Sequence, residues 1–106
     1  MKLAVLGTAT DNAVVTEYRE RERFANLRAN LADLGVRIDT ALNLLGRYDY
    51  LFVMSLPDDT DVAFRAMSTI AQSGMMRTES FIAMPLSDYF NIAASIGGHH
   101  ASITAQ

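Results

Sequence analysis

The chain has no cysteine and no tryptophan, and only 2 of its 106 residues are proline. The absence of cysteine excludes disulfide frameworks, thiolate metal sites and cysteine nucleophiles. No apolar run approaches the roughly 18 residues that a membrane-spanning helix needs, and the first ten residues lack the pattern of a signal peptide. The sequence therefore predicts a protein without membrane association, and the cytoplasm is its default location.

Positive charge is also scarce, because 9 Lys and Arg stand against 12 Asp and Glu and the formal net charge is −3. Nucleic acid is therefore not an expected partner, since a protein that neutralises phosphates needs a basic surface. With 50% hydrophobic residues the composition is that of a globular chain, and the length suits a single core. We expect one domain over residues 1–96 and a flexible tail over residues 97–106.

Two stretches have the spacing of apolar positions that is typical of an amphipathic helix. The first covers about residues 17–34 and ends at Gly35, which can take the left-handed conformation that closes a last turn. The second begins in the aspartate cluster after Pro57, where carboxylates suit a helix start, and runs to about Gln72. Both helices are expected to pack one face on a sheet.

Four segments have the β-branched, aromatic or alternating pattern of strands. They are residues 2–9, 36–44, 48–56 and 75–84. In the second segment the alternation predicts one apolar side, formed by Val36, Ile38, Thr40, Leu42 and Leu44. The order βαββαβ predicts an α+β, ferredoxin-like fold, with two helices on one face of a four-stranded antiparallel sheet.

The sheet is expected to have no face that tolerates solvent. In the third strand Phe52 and Met54 point to one side while Leu51 and Val53 point to the other. A short C-terminal helix, which Ser87 would cap, is expected to cover part of the second face. The remainder needs a second copy of the chain, so the sequence predicts a homodimer or a higher homo-oligomer that pairs through the sheet.

The segment Gly46-Arg47-Tyr48-Asp49, followed by a strand that ends at Pro57-Asp58, resembles the GYD domain family, which is named for its Gly-x-Tyr-Asp segment. Leu34-Gly35 and Arg77-Thr78-Glu79 extend the resemblance over about residues 16–92. The resemblance implies two ferredoxin-like sheets packed face to face as a dimeric α/β barrel. It leaves the function open, because members of the family largely lack an assigned activity.

The same hairpin is similar to the effector-binding domain of leucine-responsive-type transcriptional regulators. That resemblance implies a stand-alone domain that binds a small metabolite between subunits without contacting DNA. The two families have the same fold, and so the two resemblances differ only in the function that they imply.

Six residues of the hairpin and the fourth strand are candidates for lining a cavity between paired sheets. They are Arg47, Tyr48, Asp49, Tyr50, Arg77 and Glu79. After a turn, Asp49 can cap backbone amides and Tyr48 can anchor the hairpin, whereas the functional alternative makes Asp49 a base or a hydrogen-bond acceptor. Arg77 and Glu79 share one side of their strand with Phe81, as a structural ion pair or as a polar group in an apolar cavity.

No motif assigns a catalytic residue, a cofactor or a metal. His99 and His100 are adjacent, so in an extended tail they point apart and chelate poorly. We therefore predict a non-catalytic, homo-oligomeric module that holds a small molecule between its sheets. One alternative is a cofactor-independent enzyme of isomerase or monooxygenase type, with its site in the barrel cavity, and the other is a metabolite-sensing domain.

Overall fold

The computed structural model describes residues 1–10 and 17–97, with the side chains of residues 17–20 left outside the description. The elements are β1 Lys2–Ala9, α1 Glu17–Asp33, β2 Arg37–Asn43, β3 Tyr50–Ser55, α2 Thr60–Gln72, β4 Met76–Ala83 and α3 Leu86–Ile96. The predicted order is confirmed, and the strands and α1 end within two residues of their expected bounds. Apart from Gly97, the predicted flexible tail, with His99 and His100, lies outside the described residues.

The four strands form one sheet in the order β2-β3-β1-β4. Every neighbouring pair is antiparallel, and Val5 in β1 lies opposite Phe52 on one side and Ser80 on the other. This topology is the α+β, ferredoxin-like pattern that the element order predicts. Strands β2 and β4 are the two edges of the sheet.

The core lies between one face of the sheet and the two long helices, and we call this side the helix-covered face. Most of its buried members come from β1, β3, α1 and α2, and they include Leu3, Val5, Leu27, Leu31, Phe52, Met54, Ala66 and Ile70. Burying a side chain of this size stabilises the fold by roughly 1.5–3 kcal/mol. Both predicted helices therefore pack on the same face of the sheet.

A β-bulge interrupts the pairing of β2 with β3. Ile38 lies opposite Met54 on the helix-covered face, whereas Thr40 lies opposite Val53 on the other face. Asp39 is thus an extra residue between them, and one extra residue reverses the faces of all that follow. The predicted strict alternation along β2 is wrong after Asp39, because the apolar residues before and after it face opposite sides of the sheet.

Helix α3 extends away from the rest of the molecule. None of its residues is buried, and its N-cap position is Pro85, which makes no side-chain cap bond. The prediction that Ser87 caps this helix is therefore wrong, and so is the prediction that the helix covers part of the sheet. The radius of gyration is 17.1 Å, against about 13 Å for a compact chain of 100 residues.

Gly35 ends α1 with a φ of +78°, a conformation that costs a residue with a Cβ about 1–2 kcal/mol. We expect Gly35→Ala to lower the free energy of unfolding by about 1 kcal/mol, measured by urea denaturation. Gly97→Ala is the matched control, because Gly97 ends α3 with a φ of −89° and has open space around it. An equal loss in both variants would show that the backbone conformation of Gly35 is not the cause.

Candidate functional site

The face of the sheet opposite to the helices carries apolar side chains in its middle. We call it the open face, and its apolar members are Ala4, Leu6, Leu42, Leu51, Val53 and Phe81. Leu42 is 49% exposed and Phe81 is 51% exposed, while the members from β1 and β3 are half-buried. A contiguous apolar patch of this kind marks a surface that functions in contact with another molecule.

One end of the open face carries a polar network around Asp39. Its carboxylate accepts hydrogen bonds from Lys2 Nζ at 3.0 Å and Arg37 Nε at 2.7 Å, and from the Ser55 hydroxyl. The bond from Ser55, followed by those from Lys2 and Arg37, holds the pKa of Asp39 well below its usual range, because each donor favours the charged form. The bulge places Asp39 where these donors meet.

The opposite end of the open face carries a cluster of three predicted site residues. The Tyr48 hydroxyl donates to Glu79 Oε2 at 3.0 Å, and the Arg47 guanidinium lies 5.6 Å from the centre of the Tyr48 ring. The hydrogen bond to Glu79 raises the pKa of the Tyr48 phenol, because a phenolate beside a carboxylate is disfavoured. The cluster is therefore a polar rim that joins the hairpin to β4.

Asp49 has a structural role in this arrangement. Its Oδ2 accepts a hydrogen bond from the Ala9 amide at 2.7 Å, and its own amide donates to the Gly7 carbonyl at 2.9 Å. Its carbonyl accepts from the Leu44 amide at 2.7 Å. The residue thereby joins the end of β1 to the hairpin, which is the amide-capping role that the sequence suggested as one of two alternatives.

Arg77 lies opposite Thr8 and shares the open-face side of β4 with Glu79 and Phe81, as the alternation predicts. Its side chain is exposed. No ion pair joins Arg77 to Glu79 within the described part of the chain, where the Glu79 carboxylate is bound by Tyr48 instead. Arg77 therefore contributes a positive charge to the rim without the ion pair that the sequence suggested.

Tyr50 is separated from the other predicted site residues because it lies on the helix-covered face. Its ring is nearly parallel to that of Phe52, with 6.2 Å between the centres. Both rings line a cavity of about 490 Å³ between α1 and the sheet, whose walls include residues of β2, of β3 and of the start of β4. This cavity therefore lies under a helix, whereas the cavity predicted between paired sheets requires a second copy and stays a prediction.

Sequence reasoning missed most of the residues around this cavity. Phe24 repeats at helical spacing with the residues of the core, and the pattern does not show that the core leaves a gap beside it. Arg21 and Arg28 also line the cavity, and the Arg28 guanidinium lies 5.1 Å from the centre of the Phe24 ring. Their spacing of seven residues on one side of α1 is the signal that could have identified them.

Within residues 1–10 and 17–97 no cluster of three or more His, Cys, Asp or Glu side chains is placed to hold a metal ion. In the same part of the chain, no helix has the length and apolar character that crossing a membrane requires.

The comparisons with known proteins identify a family and a relative. The family model described as the GYD domain matches residues 4–93. A protein of Thermus thermophilus named "Glutamine synthetase and cystathionine beta-lyase binding protein" is 35% identical over 85 residues, which is 79% of this chain and 88% of that protein. The match to the relative thus covers most of both proteins.

We expect Glu79→Gln to lower the pKa of Tyr48 toward about 10, the value of an unperturbed phenol, because the amide carries no charge. Spectrophotometric titration of the phenolate measures this pKa, and the Tyr48→Phe variant isolates the signal among the 4 tyrosines. Glu22→Gln is the control, since Glu22 is an exposed residue of α1. An unchanged titration of Tyr48 in Glu79→Gln would show that the contact does not persist in solution.

The substitution Asp39→Asn tests the polar network around Asp39, because it removes the charge of the carboxylate. The pKa of Asp39 is lower in the folded chain than in the unfolded chain, where it is about 3.9, so the carboxylate stabilises the fold above about pH 4. We expect the variant to be less stable than the unmodified chain at about pH 7, with a clearly smaller difference at about pH 2. Urea denaturation at both pH values measures it, and a constant difference would contradict the expectation.

Proposed function

This chain belongs to the GYD domain family, and on that premise we propose that it is a homo-oligomeric binding protein whose copies pair through their open faces and together hold a partner enzyme. The relative is named as a binding protein for glutamine synthetase and cystathionine beta-lyase. We assign this chain the same class of partner, which is an enzyme of amino-acid metabolism.

The observation that carries the proposal is the pattern of the open face, which is apolar in the middle and polar at both ends. Leu51 and Val53 lie in its middle, while Asp39 and Glu79 belong to the polar groups at opposite ends. An apolar centre with a polar rim is the anatomy of a protein interface. It supports contact with another protein surface more directly than it supports catalysis.

The candidate acids support the same interpretation. Asp49 is held by the Ala9 amide, and Glu79 is held by the Tyr48 hydroxyl. A general base directs a carboxylate oxygen at a substrate, whereas Asp49 Oδ2 and Glu79 Oε2 join elements of the fold. The enzyme alternative therefore has less support than binding.

The size of the open face bounds the strength of the pairing. Four strands about 4.8 Å apart and about 24 Å long cover roughly 450 Å². If about half of each face is apolar, two copies hide roughly 450 Å² of apolar surface, which yields about 11 kcal/mol. Because association costs about 4–15 kcal/mol, sheet pairing alone gives a weak dimer.

We expect Val53→Asp and Phe81→Asp each to raise the dissociation constant of the dimer about tenfold or more, because each places a charge in the apolar centre. Sedimentation equilibrium measures the dimer, and circular dichroism confirms that the variants fold. The matched control is Leu45→Asp, since Leu45 is fully exposed in the hairpin and lies outside the open face. A chain that stays monomeric at about 1 mM, where even a weak dimer is populated, would refute the pairing.

The same variants test the binding of the partner enzyme. Purified glutamine synthetase and cystathionine beta-lyase of the organism that makes this chain are passed over the immobilised protein in a surface plasmon resonance experiment. We expect the unmodified chain and Leu45→Asp to bind at least one of the two enzymes, and the open-face variants to bind more weakly. Failure of the unmodified chain to bind either enzyme at about 10 μM, a concentration at which a specific complex is normally populated, would refute this assignment.

A further inference from the structure

Helix α3 has an apolar side that is largely exposed. Its five large apolar residues are 42–65% exposed, and they are Leu86, Tyr89, Phe90, Ile92 and Ile96. At 100° per residue they share one side of the helix, and Ser87, Asn91 and Ser95 share the other. An isolated helix of 11 residues is marginal in water, so this side needs a surface to pack on.

A groove of matching size runs between α1 and the edge strand β2. It consists of the cavity of about 490 Å³ and a second cavity of about 280 Å³, which both include Arg28 in their walls. We call it the α1–β2 groove, and along α1 it reaches from Arg21 to Ala32. These 12 residues extend about 18 Å, and the 11 residues of α3 extend about 16 Å.

The occupant cannot be the helix of the same molecule. Helix α3 follows Ala83 at the end of β4, whereas among the described lining residues β4 contributes to the groove only Met76 at its start, seven residues or about 23 Å along the strand. Only Met84 and Pro85 connect β4 to α3, and Pro85 is extended with a φ of −56° and a ψ of 141°. A helix that starts there extends outward from the β4 edge.

We propose that α3 of each copy docks in the α1–β2 groove of a second copy. The inference rests on the proposed pairing of open faces. A two-fold axis parallel to the strands lays the β4 edge of one copy beside the β2 edge of its partner, so each helix starts next to the partner's groove. The exchange is reciprocal and closes after two copies.

The charges of the two surfaces are complementary. Arg28 and Arg37 line the groove, and no acidic side chain stands among the described residues that line its two cavities, although Arg37 Nε binds Asp39 nearby. Asp88 is the one charged residue of α3. Opposite charges across a contact fix its register and orientation.

The area of the open face is too small for a stable dimer by itself, so a second contact is needed. The open face supplies roughly 450 Å² per copy, which falls short of the roughly 800 Å² per partner that a stable interface buries. The apolar side of α3 and the groove that receives it supply the difference. An amphipathic helix in an apolar groove is a common mode of recognition between proteins.

Because the chain lacks cysteine, single cysteines can report the contact. One copy carries Ala25→Cys in the groove, and a second copy, with a longer tag, carries Ala93→Cys on the apolar side of α3. The controls pair Ala25→Cys with Ser95→Cys on the polar side of α3, and Ala93→Cys with Ala71→Cys, an exposed residue of α2. The chains are mixed in a glutathione redox buffer and followed by non-reducing electrophoresis.

We expect the disulfide between the Ala25→Cys chain and the Ala93→Cys chain to form about tenfold faster than either control disulfide, because only close Cβ atoms can be bridged. Equal rates in a chain that sediments as a dimer would overturn the docking and leave the pairing of open faces intact. A chain that sediments as a monomer would overturn both.

Phe90→Asp provides a second measurement. The substitution should raise the dissociation constant of the dimer about tenfold or more. It should leave the urea unfolding of the monomer unchanged, measured at a protein concentration below that dissociation constant, since no residue of α3 is buried. An unchanged dimer would overturn the docking. Loss of enzyme binding with an intact dimer would assign α3 to the enzyme and would equally overturn it.

Discussion

A four-stranded sheet of this size can bury one face under two helices, and in this chain the other face is apolar as well. Val5, Phe52 and Met54 are buried on the helix-covered face, while Leu51 and Val53 are half-buried on the open face. The two central strands thus require cover on both sides, since water on a large apolar patch is unfavourable. The polar network around Asp39 and the cluster around Tyr48 lie at the two ends of this open face.

The polar residues of the open face lie at its two ends, so its centre stays apolar. Asp39 gathers Lys2, Arg37 and Ser55 at one end, and Glu79 binds Tyr48 at the other. Each charged carboxylate therefore has a partner within its own chain before a second surface arrives. Charges that are already paired cost less to desolvate than isolated ones, which makes the rim compatible with an interface.

The sequence predicted the element order and the core because those follow from local periodicity and from strong stop residues. Gly35 and Pro57 end elements at the expected places, and the spacing of Leu27 and Leu31 identifies the buried side of α1. The bulge was not predictable, since Asp39 fits an alternating pattern as well as its neighbours do. Its position depends on a network that includes Lys2, a residue 37 positions away along the chain.

The part of the candidate site that could be predicted is the part that lies within one short segment of the sequence. The Gly-x-Tyr-Asp segment places Tyr48 and Asp49 beside each other, and the structure assigns them different partners, Glu79 and Ala9. Tyr50 was grouped with them, although the alternation of the strand sends it to the opposite face. The cavity under α1 escaped prediction because a gap in packing arises from several elements together and has no pattern of its own.

The extra residue in β2 also bears on how the chain avoids polymerising. An edge strand exposes unpaired amides and carbonyls, and a straight edge can add strands from other molecules without limit. A bulge twists the edge out of register with a flat neighbour, and charged residues such as Arg37 and Asp39 oppose the approach of another strand. The edge at β2 is therefore poorly suited to the open-ended addition of strands that builds fibrils.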